Sequence, residues 1–126
     1  MRLNQVTVPA LDLERSIAFY QTLGFKLIVQ NDHYARFELP NGDASFSLQR
    51  TEDAQGAAHG AHIYLECENL DGRVEELKAL GIIFDSDPID QSWLWREAWL
   101  SDPAGVKLCL YYAGKNRLNP PWRLKE

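Results

Sequence analysis

DLERSIAFYQTLG, residues 12–24, and NLDGRVEELKALG, residues 69–81, are one pattern written twice. Each opens on an Asp or Asn able to cap a helix and closes on a glycine able to end one. In the first copy Leu13, Ile17 and Tyr20 recur at i, i+4, i+7, a single apolar stripe that Phe19 and Leu23 widen. The spacing predicts helices over 13–23 and 70–80. At a constant offset of 57 positions Gln5 falls on His62, Asp12 on Asn69, Ile17 on Val74, Tyr20 on Leu77, and Leu23-Gly24 on Leu80-Gly81. An internal repeat fixes architecture, and this period is too long for a solenoid.

The flanks extend the repeat. Residues 3–8, LNQVTV, read as a strand before the first helix, and 25–29, 34–39 and 44–49 as three after it. Asn41-Gly42 inside the Pro40–Asp43 turn is a strong hairpin signal. In the second copy HIYLEC (62–67) precedes the helix, and 82–85 and a Trp-rich ribbon follow it. The third and fourth strands slip by several residues between copies. The fold class expected is α+β, two βαβββ modules in which each helix covers one face of a four-stranded mixed sheet. The other faces are then free to form a curved cup. Module one spans 1–50, a polar linker 51–59, and module two 60–113, making one domain of 1–113 with a tail at 114–126.

The ribbon, SWLWREAWLSDPAGVKLCLYY at 92–112, turns at Asp102-Pro103-Ala104-Gly105. Three of the four tryptophans, Trp93, Trp95 and Trp99, share one strand parity, with Glu97 between them. After the turn Val106, Leu108, Leu110 and Tyr112 form a core-seeking set, and Lys107, Cys109 and Tyr111 a mixed one. A ligand is expected on the mixed face, although a bulge would reverse which face of the Trp strand looks inward. Arg96 and Glu97 face opposite sides.

The bulk numbers narrow the function. A chain of 126 residues, 45% hydrophobic and 25% charged, is an ordinary globular domain. A net charge of −5 argues against nucleic acid as partner, because phosphate binding wants a basic surface. No apolar run approaches the roughly 20 residues of a membrane span and no signal-peptide pattern opens the chain, so the cytoplasm is expected. Cys67 and Cys109 lack zinc or redox spacing, consistent with a reducing compartment. The basic tail, with Trp122 beyond Pro120-Pro121, reads either as packing on its own domain or as an anchor at a subunit interface.

The segments DLERSIAFYQTLGF, HIYL and WREAWLSDPAGVKLCL, in this order and spacing, resemble the vicinal-oxygen-chelate superfamily of glyoxalase I, ring-cleaving dioxygenases, and fosfomycin- and bleomycin-resistance proteins. The last segment is most similar to the bleomycin-resistance-like branch. The resemblance covers 3–113 and implies a cup of paired βαβββ modules, a homodimer, and a metal or ligand in the cup. It leaves open whether the cup forms within one chain or across two. In metal-dependent relatives four ligands come from the first and last strands of the modules. The matching positions here are Gln5, Ser47, His62 and Cys109, so both carboxylates of the usual set are missing. A divalent ion held for Lewis-acid work needs several good donors. The resemblance therefore implies no glyoxalase I activity and no resident metal. Were a metal present, Gln5 and His62 would hold it with Glu66 or Glu97.

The expected function is binding of an organic, aromatic or cationic small molecule in a metal-free cup, a resistance or sequestration role. The expected ligand-binding residues are Gln5, Ser47, His62, Tyr64, Trp93, Trp95, Trp99, Cys109 and Tyr111. Indole rings stack on flat or cationic groups, and a pocket wants an apolar wall with a few polar anchors. Two other readings stand beside it. One is a metal-dependent lyase, isomerase or dioxygenase-like enzyme with a remodelled ligand set. The other is a dimeric scaffold with a vestigial site.

Overall fold

A computed structural model of the chain describes residues 1–53 and 60–125. The chain divides into two compact units, Met1–Ala61 with Ser101–Val106, and His62–Leu100 with Lys107–Glu126. Of the expected linker, residues 54–59, which include His59, lie outside the described residues.

The first unit carries β1 (Gln5–Ala10), α1 (Leu13–Thr22), β2 (Lys26–Gln30), β3 (Tyr34–Glu38) and β4 (Ser45–Arg50). Its sheet runs β1-β4-β3-β2, with β1 parallel to β4 and the other pairs antiparallel. Asp12 caps α1 by accepting the Arg15 N–H at 3.1 Å. Gly24, at φ +98°, then takes the left-handed turn that a side chain would resist. The stripe of α1 buries Leu13, Ile17 and Tyr20, and the Tyr20 ring meets Phe25, Phe37 and Phe46 at centroid distances of 5.4, 6.0 and 4.7 Å.

Residues 101–106 belong to this unit although they link two strands of the other. The buried Asp102 organises them. Its Oδ1 accepts the N–H groups of Ala104 (2.8 Å) and Val106 (2.9 Å), and its Oδ2 accepts the Tyr20 hydroxyl at 2.7 Å. Gly105, at φ +91°, completes the turn read from sequence. Burial raises the Asp102 pKa above the usual carboxylate value, while the Tyr20 hydroxyl and the backbone N–H groups pull it down. Burial, and then the Asp102 charge, push the Tyr20 phenol far above its ordinary range.

The second unit carries β5 (Ile63–Glu66), α2 (Leu70–Ala79), β6 (Ile89–Asp90), β7 (Arg96–Ser101) and β8 (Lys107–Tyr112), then a short 3-10 turn at Gly114–Asn116. Its sheet runs β5-β8-β7-β6, with β5 parallel to β8. Asn69 caps α2 through the Gly72 N–H at 3.2 Å, and Gly81, at φ +96°, follows its end. Leu70, Val74 and Leu77 of α2 and Ala98, Leu100, Leu108 and Leu110 of the sheet are buried.

Each unit thus holds one helix and a four-stranded mixed sheet, the α+β pattern read from sequence, with three local corrections. Residues 82–85 form no strand. Asp85 and the following Ser86 reach the sheet there, both donating to the Trp99 carbonyl, and pairing resumes at β6 after Pro88, where Ile89 faces Glu97. The ribbon starts as a strand at Arg96, not Ser92, because 91–95 is a turn. Gln91 N–H donates to the Trp95 carbonyl at 2.7 Å and Leu94 N–H to the Gln91 carbonyl at 3.0 Å. Tyr112, expected in the core set, is exposed instead.

Candidate ligand-binding site

On the second sheet, alternation sends Ala98, Leu100, Leu108 and Leu110 one way and Glu97, Trp99, Cys109 and Tyr111 the other. The β5–β8 register sets Tyr64 beside Cys109 and Glu66 beside Tyr111, so these share the second face. The result is a lattice of rings. Trp95 stacks on Tyr111 at 4.6 Å and 18°. Tyr64 meets Trp95, Trp99 and Tyr111 edge-on at 5.7, 5.6 and 5.6 Å, and His62 meets Trp99 edge-on at 5.2 Å. Edge-to-face contacts at these spacings each add a fraction of a kcal/mol to about 1.5 kcal/mol beyond burial.

Trp93 comes to this face by another route. Leu94 stands at φ +68°, a left-handed conformation costly for a branched side chain. The turn it closes folds Trp93 back, and the indole donates to Glu97 Oε2 at 2.8 Å. Trp99 donates to Oε1 of the same carboxylate at 3.0 Å. Glu97 is only 3% exposed, and no cation pairs with it among the described residues. Its neighbour Arg96 points the other way and is occupied by Asp71 and Asp90. His62, Tyr64, Gln91, Trp93, Trp95, Glu97 and Trp99 line an open cleft of about 600 Å³. Burial first, then the neighbouring Cys109 and Glu97, raise the Tyr64 pKa.

The structure therefore brings together His62, Tyr64, Trp93, Trp95 and Trp99 around the cleft. Cys109 and Tyr111 lie beneath them as a buried floor, with Ala113 and the flanks of Trp95 and Trp99. The Trp95 indole N–H reaches the Asn116 carbonyl at 3.4 Å, so the start of the tail buttresses the site. Gln5 and Ser47 sit on the sheet of the first unit. Glu97, expected from sequence as a stand-in metal ligand and as a charge among the tryptophans, lines the cleft and joins Trp93 to Trp99, and Gln91 lines it without a sequence signal. The signal for Glu97 was its shared parity with Trp95 and Trp99.

A family model described as the Glyoxalase/Bleomycin resistance protein/Dioxygenase superfamily matches residues 2–110. The chain belongs to this superfamily. Its fold is also that of several solved structures. A superfamily protein from Nocardioides superposes with a TM-score of 0.72 at 25% identity, over 90% of this chain and 83% of that one. A bleomycin-binding protein in complex with bleomycin gives 0.71 at 23% identity, over 89% and 98%. TnmS3, an antibiotic-binding protein from Streptomyces sp. CB03234, gives 0.74 at 24%, over 90% and 96%.

Among the described residues, the donors at the positions that the resemblance matches to metal ligands, and the two glutamates that could stand in, do not fit a metal. Ser47 Oγ is hydrogen-bonded to Thr7 Oγ1 at 2.5 Å. Burial, then the Glu97 charge, push the Cys109 thiol up to about 12, so a thiolate ligand is disfavoured at neutral pH. Glu66 Oε2 accepts the N–H groups of Ala113 and Gly114, each at 3.0 Å, and both Glu97 oxygens accept indole N–H groups. Among the described residues no three His, Cys, Asp or Glu side chains gather as a ligand set. Nor, among these residues, is any helix long and apolar enough to cross a membrane.

Proposed function

We propose that this superfamily member binds a flat organic cation in the aromatic cleft of its second unit and holds it without converting it. The observation that carries this reading is the Glu97 carboxylate, buried, unpaired with any cation among the described residues, and clamped by two indoles. A buried charge without a counter-ion is costly, and a positive ligand would offset that cost. The clamp is charge-assisted at both oxygens, which holds the carboxylate in one orientation. Around it His62, Tyr64, Trp93, Trp95 and Trp99 offer ring faces and edges, and a cation over an indole gains about 0.5–2 kcal/mol. Protonated or quaternised heteroaromatics match both features. The antibiotic- and bleomycin-binding neighbours are consistent with small-molecule binding on this fold.

Calorimetric titration with N-methylacridinium, and with neutral acridine at pH 8, tests the proposal. Saturable one-to-one binding of the cation is expected, at least tenfold tighter than that of the neutral ring. Equal affinity for both probes, or no saturable heat with the cation, would overturn it.

A further inference from the structure

The first unit has its own helix-free face, of different chemistry. Ala35 and Phe37 of β3 and Phe46 of β4 point into the core beneath α1, so Tyr34, Arg36, Ser45 and Ser47 lie on the opposite side. Strand register sets Thr7, Ser47 and Arg36 in one row across β1, β4 and β3, with Gln5, Ser45 and Glu38 in the next. Ser45 Oγ donates to Gln5 Oε1 at 2.7 Å. Arg36 Nε donates to the Tyr34 hydroxyl at 2.9 Å, and its guanidinium carbon lies 5.3 Å from the centre of that ring. This fixes the plane of the guanidinium and uses one of its five N–H groups.

Among the described residues the remaining four, on the two Nη atoms, have no protein acceptor, and Arg36 forms no ion pair there. Arg96, by contrast, is fully engaged by two aspartates. The acid nearest Arg36 along β3 is Glu38, which is exposed and faces Lys26 across the β2–β3 register. A half-buried guanidinium, oriented but uncompensated and surrounded by hydroxyls, is built to receive oxygen atoms that carry negative charge.

We infer that this face binds an oxyanion, a carboxylate or phosphate group of a small molecule, in the Nη fork of Arg36 with the Tyr34 hydroxyl beside it. Hydrogen bonding from Ser47 first, then from Arg36 and Gln5, lowers the Tyr34 pKa and makes that hydroxyl a stronger donor. Its charge preference is opposite to that of the aromatic cleft on the second unit.

Titration of the full chain with inorganic phosphate, acetate and chloride at matched ionic strength, followed by ¹H–¹⁵N spectra, tests the inference. Saturable shifts confined to Tyr34, Arg36, Ser47 and their neighbours are expected with phosphate, acetate or both; which anion saturates identifies the oxyanion class. Arg36→Gln should weaken binding at least tenfold. Arg36→Lys keeps the charge while removing the planar fork, and should weaken it at least threefold. No saturation with either oxyanion, an identical response to chloride, or wild-type affinity in Arg36→Lys would overturn the assignment.

Discussion

Replacing Tyr20 with Phe removes one oxygen from the core of the first unit and leaves every ring contact in place. The Tyr20 ring touches Phe19, Phe25, Phe37 and Phe46, and a phenyl ring fills the same space. What is lost is the 2.7 Å hydroxyl donation to Asp102 Oδ2. Asp102 is 5% exposed, so water cannot readily replace the donor. A hydrogen bond to a charged buried group is worth about 1.5–3 kcal/mol, and we take about 2 kcal/mol here. For 126 residues the unfolding entropy implies roughly 4 °C per kcal/mol, hence a fall in Tm of roughly 8 °C at neutral pH. The loss should depend on pH with a definite sign. Burial already holds the Asp102 pKa above its ordinary value, and the Tyr20 hydroxyl opposes that shift. Without the hydroxyl the carboxyl titrates higher still. Between its ordinary and raised pKa the folded state binds more protons than the unfolded one, so this group's contribution to stability falls as pH rises. The gap between Tyr20→Phe and wild type should therefore be full at pH 7–8 and narrow as pH falls towards the carboxylate range. Calorimetric melts at pH 7.5 and 4.5 measure it; an unchanged Tm at pH 7.5, or an equal gap at both pH values, refutes the reasoning.

Glu97→Gln should weaken N-methylacridinium at least tenfold while leaving neutral acridine within about twofold, as read by calorimetry. Trp95→Ala removes the ring stacked on Tyr111 and should weaken both probes together, with a stability loss of about 2–4 kcal/mol in urea melts from the large-to-small change. Cys109, fully buried with its thiol pushed up to about 12, should resist iodoacetamide at pH 8 until the chain unfolds, as followed by mass spectrometry. Leu94→Gly relieves the φ of +68° at an exposed position, so it should leave Tm unchanged or raise it by a few degrees, the opposite of most glycine substitutions.

The helices were legible because caps and stripes are local. Asp12 and Asn69 bond where their side-chain chemistry predicts, and Gly24 and Gly81 take positive φ. The DPAG turn was legible for the same reason. The missing strand at 82–85 was not, since the continuous apolar run Ile82-Ile83-Phe84 reads as a buried strand and only the pairing of Ile89 with Glu97 decides the edge. Parity placed Trp95, Glu97 and Trp99 on one face correctly, but it placed Trp93 there for the wrong reason: a left-handed Leu94, not strand alternation, turns that indole inward. The role of Glu97 needs two indole N–H groups aimed at one carboxylate, and spacing alone carries no such angular information. Arg36 was passed over because the absence of a partner becomes visible only when side-chain surroundings are known.

The bond between Tyr20 and Asp102 spans 82 positions of sequence. A ribosome releases the whole first βαβββ stretch long before the aspartate that completes its interior leaves the exit tunnel. The first stretch must therefore wait, with its aromatic core unsealed, until residue 102 has been made and released. Contacts this distant slow folding by their closure entropy. The two copies repeat each other in pattern, yet the last buried turn of the first unit, residues 101–106, is written within the sequence of the second copy.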